Sequence, residues 1–331
     1  MNRQQFEEQR KAAWKELDRI LSALERKTSR KERKSARTRE ALVQVPALYR
    51  QVCNDLSLAR YRDYGAVLVD RLNQLALRGY HQLYRTRIGF WRRVARFVAV
   101  DFPVEVRANA RLFWFCMALF WVPFLSMIAA GQWAPEWVYA TISAEHVAQL
   151  DNSFGEAGGM GDGRESSSDL QMLAFYIFNN VGIDFRTFAG GVLAGVGTIF
   201  FLIFNGVFLG ASFGHMQHSG GVLLENFYAF TAGHGSFELM AVVISGMAGM
   251  KIGLAILAPG RMTRARALRE RGREGVRLLY GAALMTTTAA MIEAFWSPSS
   301  VAHSVKYVVG ACLWLVVLSY LGLCGRNRAD R

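Results

Sequence analysis

The sequence predicts an all-α fold. It reads as a polytopic helical membrane protein with about six transmembrane helices, five clear and one short or broken, preceded by a cytoplasmic helical bundle. Three observations carry this. The chain is 52% hydrophobic, with mean hydropathy +0.14, yet its net charge is +13. All of that charge sits at one end, because residues 1–111 hold 25 Lys/Arg against 12 Asp/Glu and the rest of the chain balances. Apolar runs of about 20 residues, the length a helix needs to cross hydrocarbon, recur only beyond that point. The chain therefore divides into a basic cytoplasmic or interfacial domain, 1–111, and a transmembrane domain, 112–325.

In the head, Phe6, Trp14, Leu17, Leu21 and Leu24 recur at helical spacing among charged neighbours and predict an amphipathic helix. A dense basic stretch runs from Arg26 to Arg39. A second stripe (Leu42, Leu48, Tyr49, Val52, Leu56) and a third (Tyr64, Val67, Leu68, Leu72, Leu75, Tyr80) supply the other walls of a small core. Over 88–100, Phe90, Trp91, Val94, Phe97 and Val98 alternate with arginines, as in a helix lying in the headgroup layer. The excess of Lys/Arg retains such a segment in the cytoplasm beside anionic lipid. No DNA- or RNA-reading motif accompanies it, so the expected partner is the lipid bilayer and not nucleic acid. The first 40 residues are too charged for a secretory signal, and the four cysteines form no paired motif.

The crossings are expected at 112–130, 187–213, 236–258, 278–296 and 301–324, with 170–183 as the short sixth. Charge decides whether the sixth counts. The loop 131–169 carries seven acidic residues against Arg164 alone and is Gly/Ser-rich at 153–168, which predicts a flexible external loop. The segment 261–277 holds seven arginines, and the tail ends in Arg326, Arg328 and Arg331, so both should be cytoplasmic. An odd number of crossings must join them. Counting 170–185 satisfies this, places Asp184–Arg186 inside and 214–235 outside, and leaves both termini cytoplasmic.

Polar groups at membrane depth need partners or a purpose. Asn179 and Asn180 interrupt the sixth segment, with Asp184 and Arg186 beyond them; the cluster reads as a helix end, with Arg186 as an interface marker. Asn205, Gly206 and Gly210 interrupt the next, where small residues suit close helix contact. His234-Gly235-Ser236-Phe237-Glu238 opens an apolar run. The Gly-rich entry predicts a turn with Ser236 capping the helix, and His234 and Glu238, four apart, share a face. That helix start would favour an ionised carboxylate, and Asn205 is expected nearby. A metal could bind His234 and Glu238, with His215 and His218 of the preceding loop as further ligands; otherwise no cofactor is expected. Glu293 and Lys251 read as interfacial groups needing no function, Lys251 by snorkelling.

These clusters, in this order, resemble the stage II sporulation protein M family: the Phe178-Asn179-Asn180 break, the helix with Asn205-Gly206 and Gly210, and His234-Gly-x-x-Glu238 before a Gly-rich helix. Val45-Pro-Ala-Leu-Tyr49-Arg50, with Asp55-Leu56 and Ala59-Arg60, is similar to the family's longer, non-sporulation branch. The resemblance implies a bacterial inner-membrane component of cell-envelope (peptidoglycan or division-related) remodelling. It also implies neighbours such as MoxR-type AAA+ ATPases and other envelope-remodelling proteins. The leading expectation is a non-enzymatic scaffold that forms a homodimer or higher oligomer. The alternatives are an ion or small-solute channel or transporter with its polar site at His234/Glu238, and, more remotely, an intramembrane metal-dependent enzyme.

Overall fold

The computed structural model describes residues 2–26, 36–83, 90–155 and 166–326. Among them every regular element is helical. The chain divides into two compact units, Met1–Phe90 and Trp91–Arg331.

The first unit holds α1 (Arg3–Arg26), α2 (Ala36–Tyr61) and α3 (Ala66–Leu83). Their stripes form one core: Phe6, Trp14, Leu17 and Leu21 against Val45, Val52 and Ala59, with Leu68, Leu72 and Leu75 closing it. Trp14 donates its indole N–H to the buried Asp55 at 2.8 Å, which gives the charge in this core a partner. Asp63 and Gly65 take positive φ (48° and 97°) and fold α3 back on α2. Val67 and Tyr80, expected in the core, are exposed. The Leu68-Leu72-Leu75 stripe buries one face of α3 and leaves those two off it.

The second unit opens within α4 (Phe90–Arg96), one residue after its start, and continues with a π-helical turn (Phe97–Asp101) and α5 (Phe102–Ala108). There follow α6 (Ala110–Trp133), α7 (Pro135–Thr141), α8 (Ala144–Phe154) and α9 (Ser166–Ala189). After a 3-10 turn, α10 (Val196–Ser219), α11 (Gly221–Leu257), α12 (Arg264–Met291) and α13 (His303–Leu323) complete it. Five helices are long and apolar enough to cross a membrane: α6, α10, α11, α12 with the π turn that extends it (Ile292–Trp296), and α13. The helix α11 is the axle of the bundle, with every residue from Met240 to Gly253 buried. A helix apolar all round belongs at such a centre.

Small residues set the packing. Gly206, Gly210 and Gly214 lie one turn apart on α10. A Cβ at each would sit 2.4–2.5 Å from the carbonyl oxygens of Phe120, Phe124 and Met127 on α6. Only glycine lets the two backbones meet. Lys251, expected to snorkel, is instead buried and fixes α5 and α12 to α11 through Glu105 at 3.0 Å and Glu274 at 2.7 Å.

The sixth segment is a full helix. α9 has 24 residues with no break at Asn179-Asn180, and it falls short of the other five only in apolarity. It runs parallel to α11: Asp184 meets Ser245, and Gly191, just beyond its end, abuts Gly249. Asp184–Arg186 therefore lie within α9, and the reversal into α10 falls at 190–195, where Ala194 (φ 52°) and Gly195 (φ 87°) turn the chain.

Other expectations are corrected. Residues 135–154 of the supposed flexible loop fold as α7 and α8, and the Gly-rich stretch 156–165 lies outside the described residues. The supposed loop 214–235 is helical on both sides of a reversal at Gly220-Gly221. α11 continues through His234 and Ser236, so Ser236 caps nothing and Glu238 sits at no helix start. The arginines of 264–277 form the first turns of α12 instead of a loop. Arg328, Arg331 and residues 27–35 of the basic stretch lie outside the described residues.

Candidate functional site

Helical spacing stacks polar groups along the seam where α9, α11 and α12 meet. α11 contributes His234, Glu238 and Ser245; α9 contributes Asn180, Asp184 and Thr187; α12 and its π turn contribute Thr286 and Glu293. Intervals of three, four, seven and eleven residues return to one helix face. The seam has two carboxylate tiers.

The first tier is His234, Glu238 and Glu293, whose ligand-capable atoms all lie within 4.8 Å of one another. Nε2 of His234 faces Oε2 of Glu238 at 3.8 Å. Its Nδ1 is 3.0 Å from the Ser297 hydroxyl, and the Ser297 carbonyl accepts from Lys306 at 2.7 Å. Asn180 donates to Glu293 at 3.3 Å, and its own Oδ1 accepts from Asn179 at 2.9 Å. Glu293 reaches the cluster because the helix widens into a π turn there, a feature frequent at functional sites. Gly233 makes room: a Cβ would sit 3.0 Å from the Trp296 ring and 3.1 Å from Ile292. The second tier is Asp184, which is fully buried and accepts from the hydroxyls of Ser245 (3.0 Å) and Thr286. Beyond it, Thr198 donates to the Thr187 carbonyl at 2.8 Å.

Between α8 and the first tier lies a cavity of about 230 Å³, lined by the three ligand candidates and by rings that include Phe154, Phe208 and Phe230. His146 of α8 stands on its wall, 3.1 Å from the Ser212 hydroxyl and packed against the Phe208 ring. Burial, and then the neighbouring His215, hold this imidazole below its ordinary pKa.

The structure brings together His234, Gly235, Glu238 and Asn180, with Asn179 one bond behind. It does not bring Asn205, which donates to the Phe201 carbonyl of its own helix, nor Gly206, which packs on α6. Arg186 is bound to the Gly182 carbonyl of its own helix. His215 pairs with Asp151 at 2.8 Å and Tyr139 at 3.2 Å, and His218 with the Gly131 carbonyl at 3.1 Å; both tether α10 to its neighbours, away from the cluster. From the sequence Glu293 reads as an interfacial group without a function, and Asp184 as part of a helix end beside Asn179-Asn180; the structure puts both in the seam. A carboxylate inside or at the end of an apolar run was the available signal for both.

Two half-buried carboxylates this close repel each other when both are charged, so the first tier suits a shared proton or a bound cation. Residues 112–298, which contain the whole seam, match the family described as Stage II sporulation protein M. Residues 4–85 match one described as a domain of unknown function. No curated protein and no solved structure matches the chain.

Proposed function

The chain belongs to the stage II sporulation protein M family, and on that footing we propose that it is a bacterial inner-membrane protein that passes a cation along the α9–α11–α12 seam. The observation that carries this is the stack of three carboxylates, Glu238, Glu293 and Asp184, inside a bundle of apolar helices and open to a cavity at one end. Ionisable groups at membrane depth mark ion pathways and proton relays. In this reading the Arg-rich start of α12 lies on the cytoplasmic side, where an excess of arginine is favoured. The Gly220-Gly221 reversal, α8 and the cavity then face outward, with both termini inside. Ion uptake by proteoliposomes, followed for divalent cations and for protons, tests the proposal. Uptake above empty vesicles that disappears in Asp184→Asn supports it, and wild-type protein indistinguishable from empty vesicles contradicts it.

A second reading comes from the family: a non-enzymatic scaffold for cell-envelope remodelling, docking partners such as a MoxR-type AAA+ ATPase. What favours it is the basic head, which is a compact unit around its own core. Co-purification of an ATPase that depends on residues 1–83 would support this role, and it is compatible with ion passage.

A further inference from the structure

We propose that His234, Glu238 and Glu293 are the protein ligands of a divalent transition metal, with zinc the best fit. This rests on the cation reading above and names the ion. Three ligands around zinc, each about 2.0–2.1 Å from it in tetrahedral geometry, stand about 3.3 Å apart. The present separations, 3.8 Å for His234–Glu238 and at most 4.8 Å across the set, exceed this by about 0.5–1.5 Å, within the reach of a glutamate side chain.

The second observation is the histidine itself. His234 is 5% exposed. Its Nδ1 is held by Ser297, while among the described residues its Nε2 has no hydrogen-bond partner and faces the two carboxylates. One ring nitrogen fixed by an outer partner and the other presented is the arrangement of a metal-binding imidazole. Asn180 orients Glu293 in the same way. The cavity leaves a fourth position open for water or an exchanging ligand, as in zinc sites that are not purely structural. The donor set decides the class. Imidazole with two carboxylates suits zinc, manganese or iron, whereas magnesium and calcium prefer all-oxygen shells. Two carboxylates also balance the charge of one divalent ion in a place where either alone would be costly.

The test is calorimetric titration of the full chain, in detergent and stripped with chelator, using zinc, manganese, magnesium and calcium salts, with elemental analysis of the complex. One zinc per chain is expected, bound at least ~100-fold more weakly in Glu238→Gln and Glu293→Gln and roughly 10-fold more weakly in Ser297→Ala. The wild-type melting temperature should rise with zinc. A wild type that binds no zinc and shows no thermal shift overturns the proposal. So does affinity unchanged in both glutamine variants, or equal binding of magnesium or calcium. Zinc binding without ion uptake would keep this site and remove the transport reading; uptake without zinc binding would do the reverse.

Discussion

Asp184 carries the sharpest prediction at the scale of single residues. Its carboxylate accepts from Ser245 and Thr286 with no exposure at all. Asp184→Ala strands both hydroxyls and should cost about 1–3 kcal/mol in denaturant or thermal unfolding. Asp184→Asn keeps an acceptor and should fold near wild-type stability while stopping ion passage. His146 supplies the pH dependence. Its folded pKa lies below the ordinary value near 6.5, so the folded protein binds this proton less readily than the unfolded chain. The stabilising contribution is present above about pH 6.5 and is lost as pH falls below it. The melting temperature should drop between pH 7 and 5, and His146→Gln should flatten that slope; an identical slope in the variant refutes the assignment.

At the scale of elements, two glycines of similar sequence context should behave oppositely. A Cβ at Gly210 would sit 2.5 Å from the Phe124 carbonyl, so Gly210→Ala must separate α10 from α6 and should cost well over 1 kcal/mol. At Gly235 a Cβ meets nothing within 4 Å, so Gly235→Ala should be neutral or stabilising by about 0.5–1 kcal/mol. Chemical unfolding of both variants checks the contrast. The same physics explains what was legible in the sequence. Apolar length announced the crossings, and the Phe6-Trp14-Leu17-Leu21 stripe announced the head core. The start of α11 was not legible, because Ala232-Gly233-His234-Gly235 reads as a turn in water. Inside an apolar bundle the helix satisfies its own backbone groups, and glycine there serves packing, as Gly233 does against Trp296. Glu293 escaped because a π turn shifts the face it presents, which a strict 3.6-residue count cannot anticipate.

At the scale of the whole molecule, the proposed reading counts α9 as a sixth crossing, parallel to α11, and puts the Arg-rich start of α12 in the cytoplasm. In a background without the four native cysteines, Ser219→Cys should label from outside intact cells and Arg269→Cys only after permeabilisation; the reverse pattern inverts the topology. The Gly-rich helices 187–213 and 236–258 could pack within one chain or across a two-fold axis, and glycines of both are occupied within the chain, Gly206 and Gly210 by α6 and Gly246 by Leu202. A dimer, which mass photometry in nanodiscs would detect, must therefore use another face. The order of the polar tiers along the seam is legible only in three dimensions, since Asn180, Asp184, Glu238 and Glu293 come from helices far apart in sequence. That order is the central claim, and electrical recording on a solid-supported membrane tests it most directly. A jump in zinc or proton concentration should give a saturable current in wild type that Glu238→Gln and Asp184→Asn each abolish while both proteins remain folded. No wild-type current, or a current untouched by both substitutions, would contradict it.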